Sequence, residues 1–197
     1  MRASFILLIS FRYEEVGERV FVSEVTAGGV ILWFTGLSGS GKTTLSRAVA
    51  ALLQQRGRQV LLLDGDELRQ THSRDLGFSR QDRVEHQHRI AAIAFQAAEQ
   101  GTCVLVAAIS PFRAVRAALQ QAAPVPFFEV FVDAPLALCE ERDPKGLYRR
   151  ARAGQLQNMT GIDDLYEPPL QPAIHCLTGV ASVEECVCTV LARLERP

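Results

Sequence analysis

A doubly wound α/β domain, built on a parallel sheet of about five strands, is the fold class this sequence predicts. Three observations carry that prediction. Apolar runs of strand length alternate with helical stretches along most of the chain. Those runs are uniformly apolar, as in strands covered on both faces by helices. The first run also leads through a glycine-rich turn directly into a helical pattern. That turn, Gly36-Leu37-Ser38-Gly39-Ser40-Gly41-Lys42-Thr43, matches a phosphate-binding loop at every fixed position.

The elements follow in order. Strand-like runs lie at 30–35, 59–63, 103–109 and 127–132, with a weaker one at 173–177. Helical patterns lie between them at 44–55, 80–100, 113–121 and 136–141. Ser182-Val183-Glu184-Glu185 reads as a capping box opening a last helix that runs to about Leu194. Ser110-Pro111-Phe112-Arg113 follows the third run. There Ser110 reads as the cap of the next helix, with Pro111 at its first position. From Arg142 to Pro172 the chain is polar and interrupted by prolines. Loops of that length are commonly functional, and over a phosphate-transfer site a mobile lid that excludes water is the natural reading.

Bulk properties narrow the function. The 197 residues suit one domain, and a hydrophobic fraction of 48% supplies a core. A net charge of −1 gives no electrostatic footprint for nucleic acid. The five cysteines show no C-x-x-C pair and no zinc spacing, so they read as reduced thiols filling apolar space. Near the N-terminus, Phe5–Ile9 after Arg2 faintly resembles a signal peptide. The run is short, charges follow at once, and it cannot span a bilayer. Residues 1–28 are therefore expected to be an extra strand or ordered extension, and 29–197 the main domain. A mis-assigned upstream start codon would leave the same pattern. No membrane partner is expected, and a triphosphate site argues for the cytoplasm.

Chemistry concentrates at the strand ends. The loop from Gly36 to Thr44 would wrap backbone N–H groups around a nucleotide's phosphates, with a helix N-terminus behind them. Lys42 would reach the β- and γ-phosphates, and Thr43 would offer its hydroxyl to Mg²⁺. Asp64-Gly65-Asp66 closes the second run, at the carboxyl edge of the sheet. Asp66 is the candidate to orient an attacking hydroxyl, as base or through Mg²⁺, and Asp64 to support the metal. Arg69, Arg83 and Arg113 are candidates to bind phosphate or sulfate bidentately. Ser110 could donate to a phosphate. His86 and His88 are two apart on a helix and share no face, so a metal pair is not expected.

These motifs resemble the adenylyl-sulfate kinase family, which has the phosphate-loop kinase fold. The matching words are Trp33-Phe34-Thr35 with the loop, Leu63-Asp64-Gly65-Asp66, Arg69, and Asp75-Leu76-Gly77-Phe78-Ser79. Asp82-Arg83, Ile109-Ser110-Pro111-Phe112-Arg113 and Arg142-Asp143-Pro144-Lys145-Gly146-Leu147-Tyr148 come next. Thr160-Gly161-Ile162-Asp163-Asp164 and Tyr166-Glu167-Pro168-Pro169 complete the set. The resemblance implies that ATP, with Mg²⁺, phosphorylates the 3′-hydroxyl of adenosine 5′-phosphosulfate. By position it implies that Asp66, Arg69, Phe78, Arg83 and Lys145 hold the acceptor. Phe78 would stack on the acceptor's adenine, and Arg69 and Arg83 would bind its phosphosulfate. Ile109 and Ser110 would line that pocket, and Arg142 with the following lid would cover ATP. The family's serine at Ser110 has been described as a phosphoserine intermediate, which direct in-line transfer does not need. The family tends to dimerise.

Two departures fall in the acceptor pocket. Met159 stands where the family has a second aromatic against the adenine, and His86 replaces an asparagine that helps hold the acceptor. An active adenylyl-sulfate kinase is the favoured reading. A small-molecule kinase with a shifted acceptor is the second. A non-catalytic nucleotide-binding module regulating a sulfurylase partner is the third, and retention of Lys42, Thr43, Asp64, Asp66 and Lys145 argues against it.

Overall fold

The computed structural model describes residues 28–195. The extension expected over 1–28 lies outside them except for its last residue. The elements run β1 (Val30–Thr35), α1 (Lys42–Gln55), β2 (Val60–Asp64), α2 (Gly65–Thr71), α3 (Arg80–Glu99) and β3 (Cys103–Ala107). They continue as α4 (Arg113–Ala122), β4 (Phe127–Asp133), α5 (Leu136–Arg142), α6 (Leu147–Arg152), β5 (Ile174–Leu177) and α7 (Val183–Leu194).

All strand pairs are parallel, in the order β2-β3-β1-β4-β5. Side chains alternate across a strand, and here both faces find apolar cover. Leu32 and Phe34 of β1 face α1 and α7, against Leu45, Val49, Val187 and Val190. Ile31 and Trp33 face the other layer, against Ile90, Ala94 and Leu119 of α3 and α4. Trp33 stacks on Phe127 with ring centroids 5.7 Å apart. Each such large side chain removed from water contributes about 1.5–3 kcal/mol. This two-sided burial is why the runs are uniformly apolar.

Two short helices were not expected. At Asp64-Gly65-Asp66 the Asp64 carboxylate accepts from the Asp66 N–H and caps α2. The proline-broken segment after Arg142 contains α6. There the Asp143 carboxylate accepts from the N–H groups of Tyr148 and Arg149. Residues 142–172 are not simply a polar loop. Tyr148 and Met159 are buried in a third cluster with Ala134 and Cys139, and Leu37 and Leu136 pack against it.

The capping role expected of Ser110 is also corrected. The N-cap of α4 is Phe112, and Pro111 lies outside the helix. The first turn is served from a distance, by the Glu167 carboxylate, which accepts from the Arg113 N–H at 2.8 Å. Ser110 does other work, described below. The cysteines bear no disulfide; Cys186 is buried and Cys188, on another face of α7, is exposed.

Candidate active site

The carboxyl ends of β1, β2 and β3 open into one crevice of about 860 Å³. Its floor is the loop between β1 and α1. Gly36 leaves β1 so close to β4 that a Cβ there would lie 2.4 Å from the Val132 carbonyl oxygen. Gly41, the N-cap of α1, has φ 98°, a left-handed conformation that glycine adopts without penalty.

The loop's carbonyls are held from outside. Lys42 Nζ donates to Leu37 O at 2.7 Å, and Tyr148 Oη to Ser38 O at 2.9 Å. Arg142 donates to Gly39 O at 3.3 Å, and Thr178 Oγ1 to Ser40 O at 2.7 Å. A peptide whose carbonyl is held on one side presents its N–H to the other. The first N–H groups of α1 have no intrahelical acceptor and add to the same anion-binding surface. Tyr148 and Thr178 were not singled out from the sequence, because their contacts lie 110 and 138 residues away along the chain.

Lys42 is nearly buried, at 9% exposure. Burial lowers the pKa of its ammonium to about 8, against the opposing field of Asp66. Phosphates bind the ammonium form. Nucleotide affinity should therefore hold steady below about pH 8. Above that it should fall, by about tenfold per pH unit at the limit. Dissociation constants for an ATP analogue measured from pH 7 to 9.5 check this; a flat profile would refute it.

Thr43 Oγ1 donates to Asp64 Oδ2 at 2.9 Å. These two hard oxygen groups, side by side at the base of the loop, fit a magnesium ion that keeps most of its shell as water and nucleotide phosphate. Among the described residues no group of three or more His, Cys, Asp or Glu side chains is placed to hold a metal alone.

Across the crevice, Asp66 on α2 pairs with Lys145, and both side chains remain exposed. Phe78 is 53% exposed, with the Arg69 guanidinium 4.9 Å and that of Arg83 5.8 Å from its ring centre. Arg69 also donates to Gly77 O at 2.8 Å. Arg83 is drawn further in: it donates to Phe78 O and Asn158 O and pairs with Asp164 at 3.2 Å. Asp82 beside it is tied into the capping box of α3 with Ser79.

Ile109 and Ser110 form the rim beyond β3. Ser110 is a non-glycine residue at φ 48°. That conformation costs about 1–2 kcal/mol, so it must be held by its surroundings. The Trp33 indole N–H donates to Ser110 Oγ at 2.9 Å. The hydroxyl keeps its own proton to donate, which suits a phosphate contact.

Several expected residues are placed elsewhere. His86 lines the crevice but is spent on the protein: Nε2 faces Gly65 O at 3.0 Å and Nδ1 faces Ser73 Oγ at 2.9 Å. Burial lowers its pKa to about 4. The ring is therefore neutral near pH 7, and Nε2–H donates to Gly65. His86 thus joins α3 to the start of α2. Met159 does not reach the crevice; it packs inside the third cluster. The Leu37 side chain likewise packs against that cluster, while its neighbours Ser38 and Gly39 line the crevice. Arg113 points away and donates to Pro168 O at 2.9 Å.

Comparison with known proteins follows the same lines. Residues 28–177 match the family model described as Adenylylsulphate kinase. An adenylyl-sulfate kinase of Synechococcus sp. (strain JA-3-3Ab) is 54% identical over 166 residues, covering 84% of this chain and 94% of the relative. One from Chloroflexus aurantiacus is 52% identical over 171 residues, covering 87% and 91%. Among solved structures, the Mycobacterium tuberculosis APS kinase in complex with AMPPNP and APS superimposes with a TM-score of 0.82 at 44% identity, covering 86% of this chain and 99% of that one. A hexameric APS kinase from Thiobacillus denitrificans superimposes with a TM-score of 0.64 at 31% identity, covering 85% of this chain and 29% of that one.

Proposed function

Because the chain belongs to the adenylylsulphate kinase family, we propose that its crevice divides into a triphosphate half and an acceptor half that meet at Asp66. The enzyme transfers the γ-phosphoryl of ATP to the 3′-hydroxyl of adenosine 5′-phosphosulfate, giving 3′-phosphoadenosine 5′-phosphosulfate and ADP, a step of sulfate assimilation. ATP and Mg²⁺ are its cofactors.

In the triphosphate half, the loop from Gly36 to Thr44 cradles the phosphates and Arg142 covers them. Lys42 moves from Leu37 O to the transferring phosphoryl. Thr43 and Asp64 would hold magnesium, which would supply charge neutralisation to the triphosphate. In the acceptor half, Phe78 offers its exposed ring to the acceptor's adenine, flanked by Arg69 and Arg83. Ile109 and Ser110 close the pocket, with the Ser110 hydroxyl donating to the acceptor's phosphosulfate. Nothing in this arrangement needs Ser110 as a nucleophile: the Trp33 indole N–H occupies one of its lone pairs. Asp66 accepts the proton of the attacking 3′-hydroxyl, and Lys145, paired with it, orients the carboxylate. The observation that carries these assignments is that Asp66 and Lys42 share one crevice, close enough for the carboxylate's field to act on the ammonium.

The segment 142–172 serves as the lid of a kinase domain spanning 29–197, since it brings Lys145 to Asp66 and Tyr148 to the loop. We place the enzyme in the cytoplasm, where ATP is abundant; no described helix is long and apolar enough to cross a membrane. A homodimer and a contact with a sulfurylase are the assemblies proposed for it.

Release of ADP with adenosine 5′-phosphosulfate as acceptor tests the reading directly. Turnover with that acceptor and none with adenosine 5′-monophosphate or sugars is the expected result. Activity only with another hydroxyl compound would replace the acceptor assignment, and nucleotide binding without any turnover would replace the enzyme.

A further inference from the structure

A buried guanidinium outside the crevice is bonded to its rim. Arg116 on α4 is 2% exposed. It meets Glu129 Oε1 through Nε at 2.5 Å, Ser110 O through Nη1 at 2.6 Å and Glu167 O through Nη2 at 2.8 Å. The Tyr166 ring centre lies 5.8 Å from the same guanidinium. Tyr166 Oη in turn lies 3.1 Å from Thr35 Oγ1, which donates to Ile109 O at 2.7 Å.

The strand register gives this cluster a direction. Trp33 of β1 pairs with Glu129 of β4. From that one row, Trp33 holds the hydroxyl of Ser110, and Glu129, through Arg116, holds its carbonyl. Both ends of a residue in a left-handed conformation are thereby pinned from the sheet. A lysine could make any one of the three bonds but lacks the planar fork that spans them together.

We propose that Arg116 is a positioning residue for the acceptor: it holds Ser110 in its strained conformation at the rim and ties it to the Tyr166–Glu167 segment. This rests on the reading above that Ser110 faces the acceptor. The guanidinium itself touches no substrate.

The test uses the whole enzyme and its single tryptophan, Trp33. That residue gives one indole N–H signal in a ¹H–¹⁵N spectrum, and its partner is the Ser110 hydroxyl. In Arg116→Lys the KM for adenosine 5′-phosphosulfate should rise about tenfold or more, the effect of losing bonds from a charged donor. The KM for ATP should stay within about twofold, and the unliganded indole signal should shift. Equal effects on both KM values, no effect on either, or an unmoved indole signal in a folded variant would overturn the proposal.

If Arg116→Lys gives no cooperative melting transition, the wild type carries the test. The acceptor, added with a non-hydrolysable ATP analogue, should move the Arg116 Nε–H signal in step with the Trp33 indole. An indole response without an Arg116 response overturns the proposal. A wild-type indole signal that ignores the acceptor overturns instead the placement of the acceptor against Ser110.

Discussion

Replacing Asp66 with asparagine should lower kcat by about 10³-fold, the effect of removing a general base, while the protein still folds. The substitution keeps the shape and removes the charge. The carboxylate's partner is Lys145, and both groups are exposed. An exposed pair contributes at most about 1 kcal/mol, so the melting temperature should move by no more than about 4 °C. The backbone N–H of Asp66, which α2 needs for its cap, is untouched. Steady-state ADP release and a thermal melt on the same sample decide the matter. A variant with near-normal turnover would remove Asp66 from the chemistry. One that lost activity through unfolding would leave the melt, not the rate, to explain it.

Lys42→Met should separate activity from stability. Turnover should fall by about 10²- to 10³-fold, since an electrostatic contact to the transferring phosphoryl is lost. Stability should not fall with it. Burial lowers the Lys42 pKa from 10.5 to about 8, so the folded state carries the ammonium at a cost on the order of 3 kcal/mol near neutral pH. Methionine fills similar space without that cost. Leu37 O loses one donor but still accepts from the Ser40 N–H at 3.2 Å. The two states differ in protons between about pH 8 and 10.5, where the unfolded chain keeps the proton and the folded one has released it. Wild-type stability should therefore rise with pH across that window, and the variant should lack the rise. Denaturant midpoints at pH 7 and pH 10 measure both effects. A variant less stable than wild type at pH 7 would mean that the ammonium is better solvated than its burial implies.

Much of this was legible in the residues because it is local. The apolar runs of β1, β3 and β4 are covered on both faces, so they stand out without knowledge of their partners. The phosphate loop is contiguous, and Ser182 with Glu185 caps α7 within one turn. What escaped is short or distant. Helix α2 has only seven residues, too few for a period to show. Its one local sign, Asp64 before the acidic first turn of Asp66 and Glu67, competes with the turn preference of Asp-Gly. Helix α6 hides behind Pro144 and Gly146. Arg116 looks like any surface arginine until folding brings Glu129, Ser110 and Glu167 around it. Met159 is apolar and sits in a polar stretch, so an exposed stacking role and a buried packing role are indistinguishable along the chain; Leu37, Leu136 and Tyr148 decide for packing. His86 could have been a ligand by type, but Ser73 and Gly65 use both of its nitrogens.

The hydroxyl of Tyr148 rests on the nucleotide loop, while Lys145, one turn earlier in the same segment, rests on Asp66. With the substrates placed as proposed above, they would press on the two ends of a single short lever. Thermodynamic linkage then requires symmetry: whatever factor the triphosphate imposes on the other substrate's dissociation constant through that lever must be returned unchanged. Cutting the lever at its hydroxyl, as in Tyr148→Phe, should weaken the coupling by the same factor on both sides at once.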